Sequence, residues 1–138
     1  MEDVAQKAEL SKGAVYLYFE SKDELLFALF IRAADYLNQM MEKTMKREQN
    51  GLEQLLSLGK TFIEFSVKKE NYFDLMVFFQ KSNLASMKIK MENVQNYLFH
   101  HSPLTRVYDS VIKGIKDHSL RNDIDDVLLS TTLWSQML

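Results

Sequence analysis

The chain has 138 residues, room for one ordinary domain or a small motif attached to one, and its 46% hydrophobic against 26% charged residues can build a core. It has no cysteine, which excludes disulfides and thiolate metal sites, and its net charge of −2 lacks the basic excess typical of nucleic-acid domains. No apolar run approaches the ~18 residues that span a bilayer and no signal-peptide pattern opens the chain, so a cytoplasmic protein with no membrane partner is expected.

With four Gly and one Pro, the composition argues for long helices and few turns. Val4, Ala5 and Ala8 place a small apolar stripe on a first short helix, with Glu2, Asp3 and Lys7 elsewhere. Ser11 is an N-cap candidate for a second, whose Gly13, Val15 and Tyr16 are indifferent helix formers that need tertiary support. Ser21, with Glu24 three residues on and Asp23 between, reads as a capping box at a strong helix start. From there Leu26, Leu29, Phe30, Ala33, Leu37, Met40, Met41 and Met45 recur at helical spacing. Lys43, Lys46 and Arg47 close that helix, and Asn50-Gly51 is expected to be its C-cap.

Leu52, Leu55, Leu58, Phe62 and Phe65 resume the period until residues 68–71 break it. Residues 72–79 are apolar nearly all round; with no partner strand anywhere, they are expected as a buried helix. Met87, Met91, Val94 and Leu98 predict another helical stripe, and Ser102-Pro103 reads as an N-cap followed by Pro at the first helical position. Leu104, Val107, Tyr108, Val111, Ile112 and Ile115 continue from there, and whether Pro103 separates two helices or kinks one stays open. Residues 118–123 form a connector, and Asp125 caps a last helix carrying Val127, Leu128, Thr131, Trp134 and Leu138, which stops in mid-pattern. The expected fold class is all-α.

Two short helices joined by a turn, the second presenting Lys12, Gly13, Tyr16 and Tyr18, suit a helix-turn-helix. The run Glu2-Asp3-Val4-Ala5, Ala8, Ser11-Lys12-Gly13-Ala14-Val15-Tyr16-Leu17-Tyr18-Phe19 and Ser21-Lys22-Asp23-Glu24-Leu25 resembles the DNA-binding signature of the tetracycline-repressor (TetR) family, over about a fifth of the chain. The resemblance implies a helix-turn-helix head over residues 1–30, joined by the long helix to a ligand-binding and dimerisation body over residues 31–138. It also implies that the family's first helix would precede Met1 and that the C-terminal end is cut. Two residues depart from the family's pattern. Glu9 stands in the turn where Gly is common, at a cost on the order of 1 kcal/mol if φ is positive, and Ala14 stands where Thr is frequent.

Physically, the head's side chains divide between phosphates and bases. The Ser11 hydroxyl, Tyr16, Tyr18 and the Lys22 ammonium suit phosphates; Lys12 and Ala14 suit base edges, and Gly13 permits close backbone approach. Residues 1–32 hold four Lys/Arg against six Asp/Glu, an unfavourable balance for that task. The bland alternative is a surface turn and a short structural helix.

The family's ligand pocket lies among its middle helices. Phe62, Phe65, Tyr72, Met76, Phe79, Tyr108, Ile112 and Trp134 are the candidates here, from their inward stripes, and they suit a large apolar or aromatic effector. By the same resemblance, Val127, Leu128, Thr131, Trp134 and Leu138 belong to a homodimer interface. His100-His101 point about 100° apart on a helix and cannot readily share a metal ion. No nucleophile elbow, phosphate loop or dinucleotide fingerprint occurs, so neither an enzyme nor a cofactor is expected. The expected function is a ligand-responsive repressor on double-stranded operator DNA; the alternative is a helical adaptor that does not touch DNA.

Overall fold

A computed structural model describes all 138 residues. Eight α-helices follow one another: α1 (Glu2–Lys7), α2 (Lys12–Tyr18), α3 (Lys22–Met45), α4 (Gly51–Lys68), α5 (Glu70–Lys81), α6 (Met91–Asn96), α7 (Leu104–Lys116) and α8 (Asp126–Met137). A 3-10 turn, Leu84–Ser86, follows α5, and a π turn, Tyr97–His101, prolongs α6. There is no strand, so the fold is all-α with a helix-turn-helix at its N-terminal end. No helix is long and apolar enough to cross a membrane.

The turn between α1 and α2 is closed by Leu10 N–H donating to Ala5 C=O and Glu9 N–H to Gln6 C=O. That pairing requires a left-handed residue after the helix. Glu9 supplies it at φ 57°, bearing the side-chain strain that glycine would avoid. Ser11 Oγ accepts from Ala14 N at 3.1 Å and starts α2. Ser21 Oγ accepts from Glu24 N at 3.1 Å and starts α3, while the Glu24 carboxylate reaches back to Glu20 N rather than Ser21 N.

Helix α3 is the spine. Phe27, Phe30, Ala33, Leu37 and Met41 on its inner face join Leu58, Phe62 and Phe65 of α4, Met76 and Phe79 of α5 and Val107 of α7 in one buried cluster. It runs without interruption across the expected boundary at residues 30 and 31. A polar seam joins it to the π turn and α7: Asp35 pairs with His101 Nδ1 at 2.6 Å, Asn38 Nδ2 donates to the His101 carbonyl, and Arg106 of α7 pairs with Glu42. His100, the neighbour of His101, is exposed.

Three expectations need correction. Helix α3 ends at Met45, and Asn50-Gly51 opens α4 instead of closing α3. Asn50 Oδ1 accepts from Glu53 N and Glu53 Oε2 accepts from Asn50 N, the same reciprocal box expected at Ser21. Gly51 is needed there because a Cβ on it would lie 2.0 Å from the Gly114 backbone nitrogen of α7. The second correction concerns Met87 and Met91, which do not share a helix stripe with Val94 and Leu98. Met87 lies in an extended connector and Met91 is exposed, because residues 88–90 leave helical geometry to bond the start of α3. Third, Ser102 does not cap α7 with its hydroxyl; its carbonyl accepts from both Thr105 N and Oγ1. The open question at Pro103 is thereby answered: it separates two helices, since α6 and its π turn finish at His101 and α7 starts at Leu104. Asp125 caps α8 as expected, accepting from Leu128 N at 2.8 Å.

Candidate nucleic-acid interface and apolar cavity

Helix α2 turns one residue inward and most of the rest outward. Val15 is buried and Phe19 half-buried, both against the helices behind. Ser11, Lys12, Gly13, Tyr16 and Tyr18 are exposed and Ala14 is half-buried. Helical spacing puts Lys12 with Tyr16 on one flank, Ala14 with Tyr18 on the other, and Gly13 with Leu17 at the crest. Leu17, not among the expected contacts, is 84% exposed, the highest value of any large hydrophobic residue in the chain. Its spacing of four from Gly13 is the sequence signal that marks it. A Cβ on Gly13 would meet nothing closer than Ser11 Oγ at 4.0 Å, so the space over it is open to an approaching surface. Lys22 is exposed in the first turn of α3.

The acids that surround these residues are partly neutralised. Lys12 Nζ lies 2.6 Å from Glu2 Oε1, and this hydrogen bond raises the ammonium pKa and lowers that of the carboxyl. Lys90, from the connector before α6, reaches Glu20 at 2.7 Å. Lys88 is fastened beside it: Ser21 Oγ donates to the Lys88 carbonyl and Lys88 N–H donates to Asp23 Oδ2, each at 2.8 Å. A charge count over residues 1–32 therefore omits two lysines that the fold brings to the start of α3.

The elements on either side of this connector help enclose an apolar cavity of about 230 Å³. Phe27 and Phe30 of α3, Met76 and Phe79 of α5, Leu84 of the 3-10 turn, Val94 of α6, Tyr97 and Leu98 of the π turn, and Trp134 and Leu138 at the end of α8 form its walls. Burial pushes the Tyr97 hydroxyl up to about 12.

Of the residues expected to line a pocket, Met76, Phe79 and Trp134 meet here. Phe62 stands edge-on to Trp134, centroids 5.9 Å apart, and Phe65 packs behind Phe62. Tyr72 is elsewhere, paired with Tyr36 at 6.0 Å. Tyr108 is on the outer side of α7, where its hydroxyl donates to Asp126, and Ile112 does not line the cavity. Phe27, Phe30 and Tyr97 escaped the sequence reading, although Phe30 stands in the α3 stripe. Of the residues expected at a dimer interface, Val127, Leu128 and Thr131 are exposed, whereas Trp134 and Leu138 pack inward on the core.

Two comparisons with known proteins agree with this geometry. The family model described as bacterial regulatory proteins, tetR family, matches residues 1–29, the stretch that folds into α1, α2 and the first turns of α3. Over 124 residues, 88% of this chain, the sequence is 23% identical to the fatty acid metabolism regulator protein of Bacillus subtilis (strain 168). The match spans 60% of that relative's length. Residues 1–29 thus carry the helix-turn-helix signature of bacterial tetR-family regulators, and one long helix leads from them into an all-α body.

Proposed function

We propose that the protein is a DNA-binding transcriptional regulator, a homodimeric repressor that an apolar small molecule releases from double-stranded operator DNA. The observation that carries this reading is the coincidence of the tetR-family match with a capped short helix whose outer face is exposed. Ser11, Tyr16, Tyr18 and Lys22 bear on phosphates, and Lys12 and Ala14 on base edges with Gly13 close beside them. Lys12 exchanges its Glu2 partner for DNA on binding. A two-fold dimer sets two such helices in successive major grooves, about 34–36 Å apart. The exposed face of α8, with Val127, Leu128 and Thr131, is our choice for the dimer contact. On this reading residues 1–30 are the DNA-binding part and residues 31–138 the effector-binding and dimerising part.

The effector enters the apolar cavity. A relative named for regulating fatty acid metabolism, together with walls of Phe, Leu, Met and Trp, favours a hydrocarbon chain over a polyanion. The cavity is smaller than the roughly 300 Å³ at which drug-sized sites begin, so it takes a segment of chain or a single ring unless it widens. Occupancy presses on Leu84 and Val94, which flank the connector fastened to Ser21 and Asp23. Displacing that connector alters the start of α3 next to α2. The effector weakens DNA binding only by its differential affinity for the two arrangements.

The test selects an operator from a random duplex library and measures its affinity by fluorescence anisotropy. Lys22→Ala is expected to weaken binding and reduce the log–log salt slope by about one per subunit. Dodecanoate below its micellar concentration is expected to lower operator affinity by about 5- to 150-fold. Failure to select any duplex overturns the regulator reading; selection without a dodecanoate effect overturns the effector assignment alone.

A further inference from the structure

A second and larger space lies between the middle of α3 and the corner where α4 passes into α5. This groove, about 870 Å³, shares no lining residue with the apolar cavity and differs from it in chemistry. Its walls are aromatic and charged. Tyr36 and Tyr72 stand edge to face, and Lys69 Nζ sits 4.8 Å over the Tyr36 ring. Arg32, one helical turn before Tyr36, brings a guanidinium to the same wall, and Lys68 adds a third cation.

Much of the groove's hydrogen-bonding capacity is left to solvent. Lys68 is held by Glu64 and Asp35 by His101. The side chains of Arg32, Gln39, Glu70 and Asn71 have no hydrogen-bonding or ion-pairing partner within the protein, and all four are exposed. Gln39 and Asn71 each offer a carbonyl acceptor and an amide donor. Four kinds of group therefore face one space: a fork-shaped cation with lysines beside it, an aromatic pair, two amides and one free carboxylate.

We propose that this groove binds a nucleoside phosphate. Each part of such a ligand has a counterpart. Phosphate oxygens take the two-pronged Arg32 guanidinium with Lys68 and Lys69. The base lies against the Tyr36–Tyr72 pair, as bases do on aromatic side chains. Its edge exchanges hydrogen bonds with Gln39 and Asn71, and Glu70 accepts from a ribose hydroxyl. The volume falls within the roughly 300–1,000 Å³ of small-molecule sites. A simple anion uses only the cations, and a hydrocarbon chain uses none of the polar groups. The assignment does not depend on the regulator reading, because it concerns different residues and is measured without DNA.

The test is isothermal titration of the full chain with ADP, adenosine and inorganic pyrophosphate, in metal-free buffer at moderate salt. ADP is expected to bind, and adenosine and pyrophosphate at least about tenfold more weakly, since each lacks half of the recognised chemistry. Arg32→Ala and Gln39→Ala alter exposed side chains without partners, so the fold is retained, and each is expected to weaken ADP by about tenfold or more. Lys116→Ala, on exposed α7 surface outside the groove, should leave ADP affinity unchanged. No heat with millimolar ADP overturns the proposal. Pyrophosphate binding as tightly as ADP also overturns it, since the groove is then a general anion site. ADP affinity unaffected by Arg32→Ala overturns the assignment of the groove.

Discussion

The head and the body of this molecule are held by different forces. Across α1 and α2 only Ala5 and Val15 are buried, while the body packs an eleven-residue cluster contributed by four helices. The head relies on polar devices: the turn around Glu9, the Ser11 cap, and the two hydrogen bonds by which Ser21 Oγ donates to the Lys88 carbonyl and Lys88 N–H donates to Asp23. Few buried apolar groups and many exposed backbone bonds make a segment that opens at low free-energy cost. A part whose exposed surface is left for another molecule to cover is built in this way, whereas a part that must keep its shape around a cavity is not.

The comparison breaks most sharply at Phe65. It is fully buried and packs between Tyr36 and Phe62. Phe65→Ala should cost about 3–5 kcal/mol. Chemical denaturation followed by Trp134 fluorescence should show the loss, and hydrogen exchange should show the body opening along with the head. Retention of the wild-type midpoint shows that the core tolerates the cavity and the division is wrong.

Tyr97 sharpens the contrast through pH. Its hydroxyl has a folded pKa of about 12 against an ordinary 10, because burial disfavours the phenolate. Below pH 10 both folded and unfolded chains hold the proton. As pH rises from about 10 towards 12 the unfolded chain releases it first, so stability falls over that window. A shift of that size corresponds to about 3 kcal/mol at its upper limit. Tyr97→Phe should flatten the alkaline decline by up to one proton, read from denaturation midpoints between pH 9 and 12. An unchanged slope shows that the hydroxyl is hydrated.

The smallest expected effect lies at the junction. Ser21 both caps α3 and holds the Lys88 carbonyl, so Ser21→Ala should cost about 1 kcal/mol. Its signature is local: faster amide exchange in α1, α2 and the first turn of α3, with the α4 and α7 amides unaffected. Uniform acceleration throughout the chain shows instead that head and body unfold as one unit.

Much of this was legible in the residues, and the failures have specific causes. Ser21 and Asp125 were readable because a cap depends on neighbours three residues away. Asn50 carries the same signal through Glu53, but Asn-Gly is also a frequent helix stop, and only the contact with Gly114, 63 positions on, decides between them. The α7 stripe misled by size. Tyr108 and Ile112 drew attention as large side chains, while Val107 and Val111 fill the interior and Ser110 and Gly114 let α4 approach. The head's charge balance cannot be taken from residues 1–32 alone, because Lys88 and Lys90 arrive from a distant connector.

The contact between Gly51 and Gly114 has a mechanical meaning as well. Where two backbones touch with no side chain between them, neither helix can slide or draw closer, so the remaining freedom is rotation about that point. The crossing is a fulcrum at one end of α4, with the helix's 18 residues as an arm of about 27 Å. On that arm a tilt of about 5° corresponds to a displacement of roughly 2 Å at the Lys68 end, the corner where α4 passes into α5. Adding a methyl at Gly51 does more than crowd the site; it displaces the point from which the whole arm of α4 is set.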